Sequence, residues 1–183
     1  MDANSLHIFI PDVCGLGLSF YFGGLGLVMA LISTYMWLQT SLFSIEYMKH
    51  AVKKLRYFFF LILTYISTTL VFLSDDVYTT FVFFEIMSIA SYVCVIHDEK
   101  EKTLRAGGVY LAVAVIGGLV TLMGIFLLKD LVGSLSYENL PELCAAVLKS
   151  GDRGSVRQLY ISAFCITFDG LNKSNIHAIS LLS

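Results

Sequence analysis

Charge is scarce in this sequence. Only 14% of its 183 residues are Asp, Glu, Lys or Arg, where a soluble domain carries about a quarter. A chain so poor in charge cannot dress a globule of its size in water-facing side chains, and 57% of it is hydrophobic. The mean hydropathy of +0.78 agrees. Composition alone therefore places the chain among integral membrane proteins. There is no long basic run, and the formal net charge is −2. Nucleic acid is excluded as a partner, because its recognition wants a clustered positive footprint. Cys14, Cys94, Cys144 and Cys165 form no C-x-x-C pair and have no histidine at zinc-like spacing. They read as small, buried apolar residues. His7, His50, His97 and His177 are scattered, so no metal site is legible. No motif for flavin, quinone, haem or an iron–sulfur cluster occurs. No cofactor and no catalytic residue are expected in this chain.

Long uncharged runs are what the sequence does contain. They cover residues 13–44, 57–74, 77–96 and 106–128, the third broken only by Glu85. Each is long enough to cross a hydrocarbon core, which takes about 20 helical residues. Strands are not expected, since a barrel needs short alternating segments. The first run is too long for a signal-peptide core, and residues 1–11 hold no Lys or Arg to form a positive leader. The fold class is thus an all-α membrane protein with about four transmembrane helices. Glycines in the first run (Gly15, Gly17, Gly23, Gly24, Gly26) and around the fourth (Gly107, Gly108, Gly117, Gly118, Gly124) would weaken soluble helices. In a membrane they let neighbouring backbones approach.

Orientation follows the positive charges in the connections. The first connection has Lys49, Lys53, Lys54 and Arg56; the second is Ser74, Asp75 and Asp76; the third has Lys100, Lys102 and Arg105. This alternation predicts an outside start, with the first and third connections cytoplasmic. Residues 129–158 then form an external loop. Within it Asn139 is a candidate helix cap, Leu140, Leu143 and Val147 an apolar stripe, and Gly151 a stop, together predicting a short amphipathic helix on the membrane surface. From residue 159 a further apolar run begins, interrupted by Asp169, Asn172 and Lys173. Residues 159–183 read as the truncated or aberrant start of another helix.

Glu85 is the anomaly. Near the ninth residue of its span, it lies about 13 Å from the end, close to the bilayer midplane. A charge there costs roughly 3 kcal/mol. Ser88 and Tyr92 follow at i+3 and i+7, with Ser91 beside them, making a narrow polar stripe that should face other helices or internal water. Two readings follow. Glu85 is a protonated, hydrogen-bonded packing contact, or it is an exchangeable proton site, as intramembrane acids on ion pathways commonly are.

The residues around Glu85 carry a resemblance. The stretch FLSDDVYTTFVFFEIMSIASYVCVIHDEKEKTLRAGGVYLAVAVIGGLVTLMGIFLL, with its Phe-Glu-Ile-Met-Ser core, resembles the antiporter-like proton-translocating membrane subunits. These belong to the NADH:quinone oxidoreductase/Mrp antiporter transmembrane family. Upstream, SIEYM (residues 44–48) also matches a family pattern, and the resemblance covers residues 10–128. It implies a bundle of about fourteen helices with inverted repeats, of which this chain is similar to helices three to six. It also implies that Glu85 is the family's essential glutamate.

Several positions depart from the pattern. Gly23-Gly24 stands where the family often has Asp-Gly, and Val115 and Gly118 stand where one branch has Arg and Asp. The glutamate's lysine partner, on the family's seventh helix, has Lys173 as its only counterpart here, with His177 behind it but without the family's spacing. The implied function is a fragment of a proton-translocating subunit in a complex I-like or membrane-bound hydrogenase-type respiratory complex. Such a fragment is a non-redox part of an assembly with other membrane subunits, in a prokaryotic inner membrane. The alternatives are a segment of a Mrp-type sodium/proton antiporter, moving protons and sodium, and a truncated membrane fragment without transport.

Overall fold

The computed structural model describes residues 6–11, 16–47, 54–96 and 101–182. Side chains at residues 101–106 and from 168 onward lie outside the description, as do Cys14, Lys49, Lys53, His50, His97 and Lys100. The chain divides into two compact units, Met1–Glu99 and Lys100–Ser183.

In the first unit, strands β1 (Leu6–Ile10) and β2 (Leu18–Phe22) form an antiparallel hairpin, and helices α1 (Gly24–Tyr47), α2 (Lys54–Phe72) and α3 (Val77–Val95) follow. The second unit holds α4 (Glu101–Val132), α5 (Leu140–Ser150) and α6 (Arg153–Leu182). Four helical stretches are long and apolar enough to span a membrane: Gly24–Glu46, Lys54–Phe72, Val77–Cys94 and Gly107–Val132. The protein is an all-α membrane protein in its spanning elements, and an integral membrane protein.

The first span starts later than residue 13. Residues 18–22 are a strand, and the helix begins only at Gly24, which has φ +54°. An uncharged run cannot reveal this, because LSFYF is as apolar as the helix that follows. Its aromatic content suits a strand, and the strand has a docking place. The Tyr21 N–H donates to the Leu73 carbonyl (2.9 Å), and the Asp75 N–H donates to that of Ser19 (3.1 Å). The Thr79 hydroxyl accepts from the Ser19 N–H at 3.0 Å. Phe20, buried, meets Phe83 at a ring separation of 5.6 Å. The hairpin thus lies across the α2–α3 turn. Asp76 caps α3 through the Thr79 N–H at 2.6 Å. Gly26 lets α1 pass the end of α2: a Cβ there would stand 2.5 Å from the Phe72 carbonyl oxygen.

In the second unit, helix α5 covers the residues of the predicted apolar stripe. Gly151 ends it in the left-handed conformation (φ +68°), but Asn139 makes no side-chain cap, its backbone being already helical. The last helix differs more. It begins at Arg153 and continues through Asp169, Asn172 and Lys173 to Leu182. Polar residues end an uncharged run without ending a helix, since Asn, Asp and Lys cost only tenths of a kcal/mol in helix propensity, about 0.7 at most.

Asp152 starts α6. Its carboxylate accepts from the Ser155 hydroxyl (2.7 Å) and the Ser155 N–H (2.9 Å). These bonds, with one from the Gly154 N–H, hold its carboxyl below the usual range. A lowered folded-state value means that the cap is fully present above the ordinary carboxylate range. It is lost as pH falls through the lowered value. Asp152→Ala should speed amide hydrogen exchange severalfold in the first turn of α6 at neutral pH. Exchange deeper in α6, at Ser162, should not change.

A candidate ion-path helix

The α2–α3 pair sets the surroundings of Glu85. Helix α2 offers α3 a face of hydroxyls: Thr64, Ser67 and Thr68, the first two buried. Their spacing of three and four residues puts them on one side. The Thr68 hydroxyl donates to the Thr64 carbonyl (2.8 Å) and also lies 3.3 Å from the Met87 sulfur. Small hydroxyl residues let apolar helices approach closely, which is the main attraction available to them in lipid.

Glu85 occupies the ninth position of α3 and is half-buried. Ser88, on the same side one turn on, is 4% exposed, and Tyr92 is half-buried. The polar stripe read from the sequence is therefore turned at least partly inward. The Ser88 hydroxyl donates to the Phe84 carbonyl at 3.0 Å, and that of Ser91 donates to the Ser88 carbonyl at 3.0 Å. A hydroxyl has one proton. With that proton given to its own helix, Ser88 keeps only acceptor capacity for a neighbour. It can receive a hydrogen bond from a protonated carboxyl, and it cannot donate one to a carboxylate without releasing its own backbone.

Sequence reasoning missed a second set of polar contacts, between α1 and α2. The Thr34 hydroxyl donates to the Ala30 carbonyl (2.7 Å) and lies 3.1 Å from the Tyr65 hydroxyl. One helical stretch away, the hydroxyls of Ser44 and Tyr57 are 3.3 Å apart. Ser44 opens the SIEYM motif, which was the available signal. Trp37 stacks near Tyr65 with ring centroids 6.0 Å apart, and a cavity of about 200 Å³ lies among Thr34, Trp37, Ser41, Leu61 and Tyr65. Among the described residues no group of three or more His, Cys, Asp or Glu could hold a metal ion.

The helix that carries Glu85 matches a known family. The profile described as "NADH:quinone oxidoreductase/Mrp antiporter, TM" covers residues 74–170, more than half of the chain. The chain belongs to that family.

Among curated relatives, one named "Putative antiporter subunit mnhD2" from Staphylococcus haemolyticus is 29% identical over 126 residues, 68% of this chain and 25% of that protein. Its namesake in Staphylococcus epidermidis is 28% identical over 124 residues, with the same coverage. In Staphylococcus aureus a namesake is 36% identical over 69 residues, 38% of this chain and 14% of that protein. The chain spans at most about a quarter of the length of these relatives. The family match runs beyond residue 128, through α5 and into α6. Lys173 lies on α6 past the matched residues, and its side chain is outside the description.

Proposed function

We propose that this chain supplies part of the ion path of an antiporter-like membrane subunit, with Glu85 as the exchangeable proton site. Ser88 and Tyr92 support it on the same face of α3. The observation that carries this reading is a half-buried carboxylate at the middle of a spanning helix that lies wholly within the family match. An acid in that position is expensive unless it has work to do. Protons are the transported species in this reading. Other membrane subunits complete the path, and the cell membrane of a prokaryote is its setting.

Two assemblies suit the site. One is a complex I-like or hydrogenase-type respiratory complex, where redox chemistry elsewhere drives proton movement. The other is a sodium/proton antiporter of the Mrp type. The printed names of the staphylococcal relatives favour the second, and the family description spans both. Lys173 is the candidate partner base on α6, and the role of Glu85 does not depend on it.

The test is a chimera. Residues 74–170 replace the matching section of the Staphylococcus haemolyticus protein, and inverted vesicles are assayed for sodium-driven proton movement. Exchange retained by an assembled chimera supports the antiporter reading. An assembled chimera that moves no protons under any cation gradient counts against the ion-path reading.

Orientation has its own test. In a chain whose four cysteines are replaced by serine, a membrane-impermeant thiol reagent should label Asp75→Cys from outside and leave Lys53→Cys unlabelled. Asp75 is chosen over Asp76 because Asp76 caps α3. The reverse pattern would invert the topology read from the loop charges.

A further inference from the structure

One face of α6 carries positive charge at one end and exposed apolar side chains along the rest. Arg153, Arg157, Tyr160, Ile161 and Phe164 line an open cavity of about 550 Å³, within the size range of small-molecule sites. Their spacing puts them on one side of the helix. The Ser162 carbonyl and the Cys165 Cβ lie against Gly124 of α4, and Ser162 is fully buried. Tyr160 is 66% and Phe164 64% exposed. A face with two arginines at one end and exposed aromatic and aliphatic side chains at the other has the chemistry of a phospholipid in reverse.

The depth of this face in the membrane can be read from its neighbour. The Gln158 amide donates to the Leu127 carbonyl at 3.3 Å, and Gly124 lies against Ser162. As the partner number falls from 127 to 124, the α6 number rises from 158 to 162, so the helices are antiparallel. Arg157 is then level with Lys129, and Tyr160 with Phe126. The apolar span of α4 ends at Val132. Arg157 is thus level with the last turn of that apolar stretch and Arg153 with its end, and Tyr160 is a turn deeper; basic and aromatic side chains at the end of a span suit the headgroup region. Asp152, the acid beside them in sequence, has its carboxylate engaged by Ser155.

We propose that this face binds an anionic phospholipid. Arg153 and Arg157 hold the phosphodiester, and the groove along Val156, Tyr160 and Phe164 receives an acyl chain. Guanidinium groups suit the phosphodiester because they offer paired donors to its oxygens. The site is separate from Glu85 and stands whatever ions the subunit moves.

The chain has a single tryptophan, which makes a clean reporter available. In the full chain, Trp37→Phe with Phe164→Trp moves the fluorophore into the groove. Vesicles of phosphatidylcholine then receive brominated-chain phosphatidylglycerol or brominated-chain phosphatidylcholine at equal mole fraction. Phosphatidylglycerol should quench with an apparent affinity about tenfold higher, since each arginine near an anionic headgroup adds a substantial attraction. Arg153→Ala with Arg157→Ala should bring the ratio near one at unchanged helix content by circular dichroism. The double lysine variant should keep part of the preference.

Equal quenching by the two lipids in the parent overturns the proposal, as does an unchanged ratio in the double alanine variant. Loss of the preference on adding inorganic phosphate would instead mark a free-anion site and also overturn it. Quenching by neither lipid would mean that protein, such as a second copy of the chain, covers the face, with the same consequence.

Discussion

Glu85→Gln, placed in a complete subunit that carries this segment, should lower proton translocation on the order of tenfold or more. Assembly should survive. Glutamine preserves the volume of the side chain and most of its hydrogen bonding at the middle of α3. What it removes is the proton that can be taken up and released. If Glu85 served only as a packing contact between helices, Gln would keep both assembly and pumping, because an amide is at least as good a hydrogen-bonding group as a protonated acid. Glu85→Asp should keep part of the activity, since the carboxylate remains and its reach shortens by one methylene.

Ser88→Ala should have a smaller effect than Glu85→Gln. The Ser88 hydroxyl already spends its proton on the Phe84 carbonyl, so the substitution deletes one acceptor near the acid and no charge. The readout is proton uptake in inverted vesicles, with the amount of assembled complex measured on the same preparation. A well-assembled Gln variant that pumps normally would show that Glu85 is held there for packing.

The spans and the acid were legible in the sequence because both are signals of composition. An uncharged run of twenty residues has few ways to satisfy its backbone in a membrane other than a helix. One carboxylate in such a run stands out by its cost. What was not legible depends on partners far along the chain. The strand Leu18–Phe22 pairs with Leu6–Ile10 on one side and makes further hydrogen bonds with Leu73, Asp75 and Thr79 across the α2–α3 turn. Within residues 13–44 only its aromatic content hints at a strand, and hydropathy does not separate it from the helix that follows. The end of α6 was misjudged for the opposite reason: charge marks where apolarity stops, and a helix does not need apolarity to continue. Asn139 had the right residue type and place for a cap, yet its backbone lies in the helical region, and its side chain makes no cap. The Thr34–Tyr65 and Ser44–Tyr57 contacts needed the register of α1 on α2, which sequence spacing alone does not supply.

Gly124→Val should separate α4 from α6. A Cβ at Gly124 would stand 2.7 Å from the Cys165 Cβ, 2.9 Å from the Ser162 carbonyl oxygen and 3.2 Å from the Ile166 Cγ1. Two of these atoms are fixed close to the backbone of α6 and cannot rotate away, so the helix itself must retreat. Overpacking of this kind costs about 1–3 kcal/mol and occasionally more. In lipid the loss is poorly compensated, because close packing is most of what holds two apolar helices together.

The measurement is a titration of detergent-solubilised chain with sodium dodecyl sulfate, following helix content or Tyr and Trp fluorescence. The Val variant should unfold at clearly lower dodecyl sulfate, and Gly124→Ala should fall between it and the parent. Gly108→Ala is the control: no atom lies within 4 Å of its added Cβ, and alanine is the better helix former by about 1 kcal/mol, so the transition should stay in place or rise. Pairing Gly124→Ala with Cys165→Gly removes the nearest obstruction but leaves the Ser162 carbonyl, so rescue should be partial. An unshifted transition in the Val variant would mean that α6 does not rest on Gly124, and the antiparallel register that sets Arg157 level with Lys129 would fall with it.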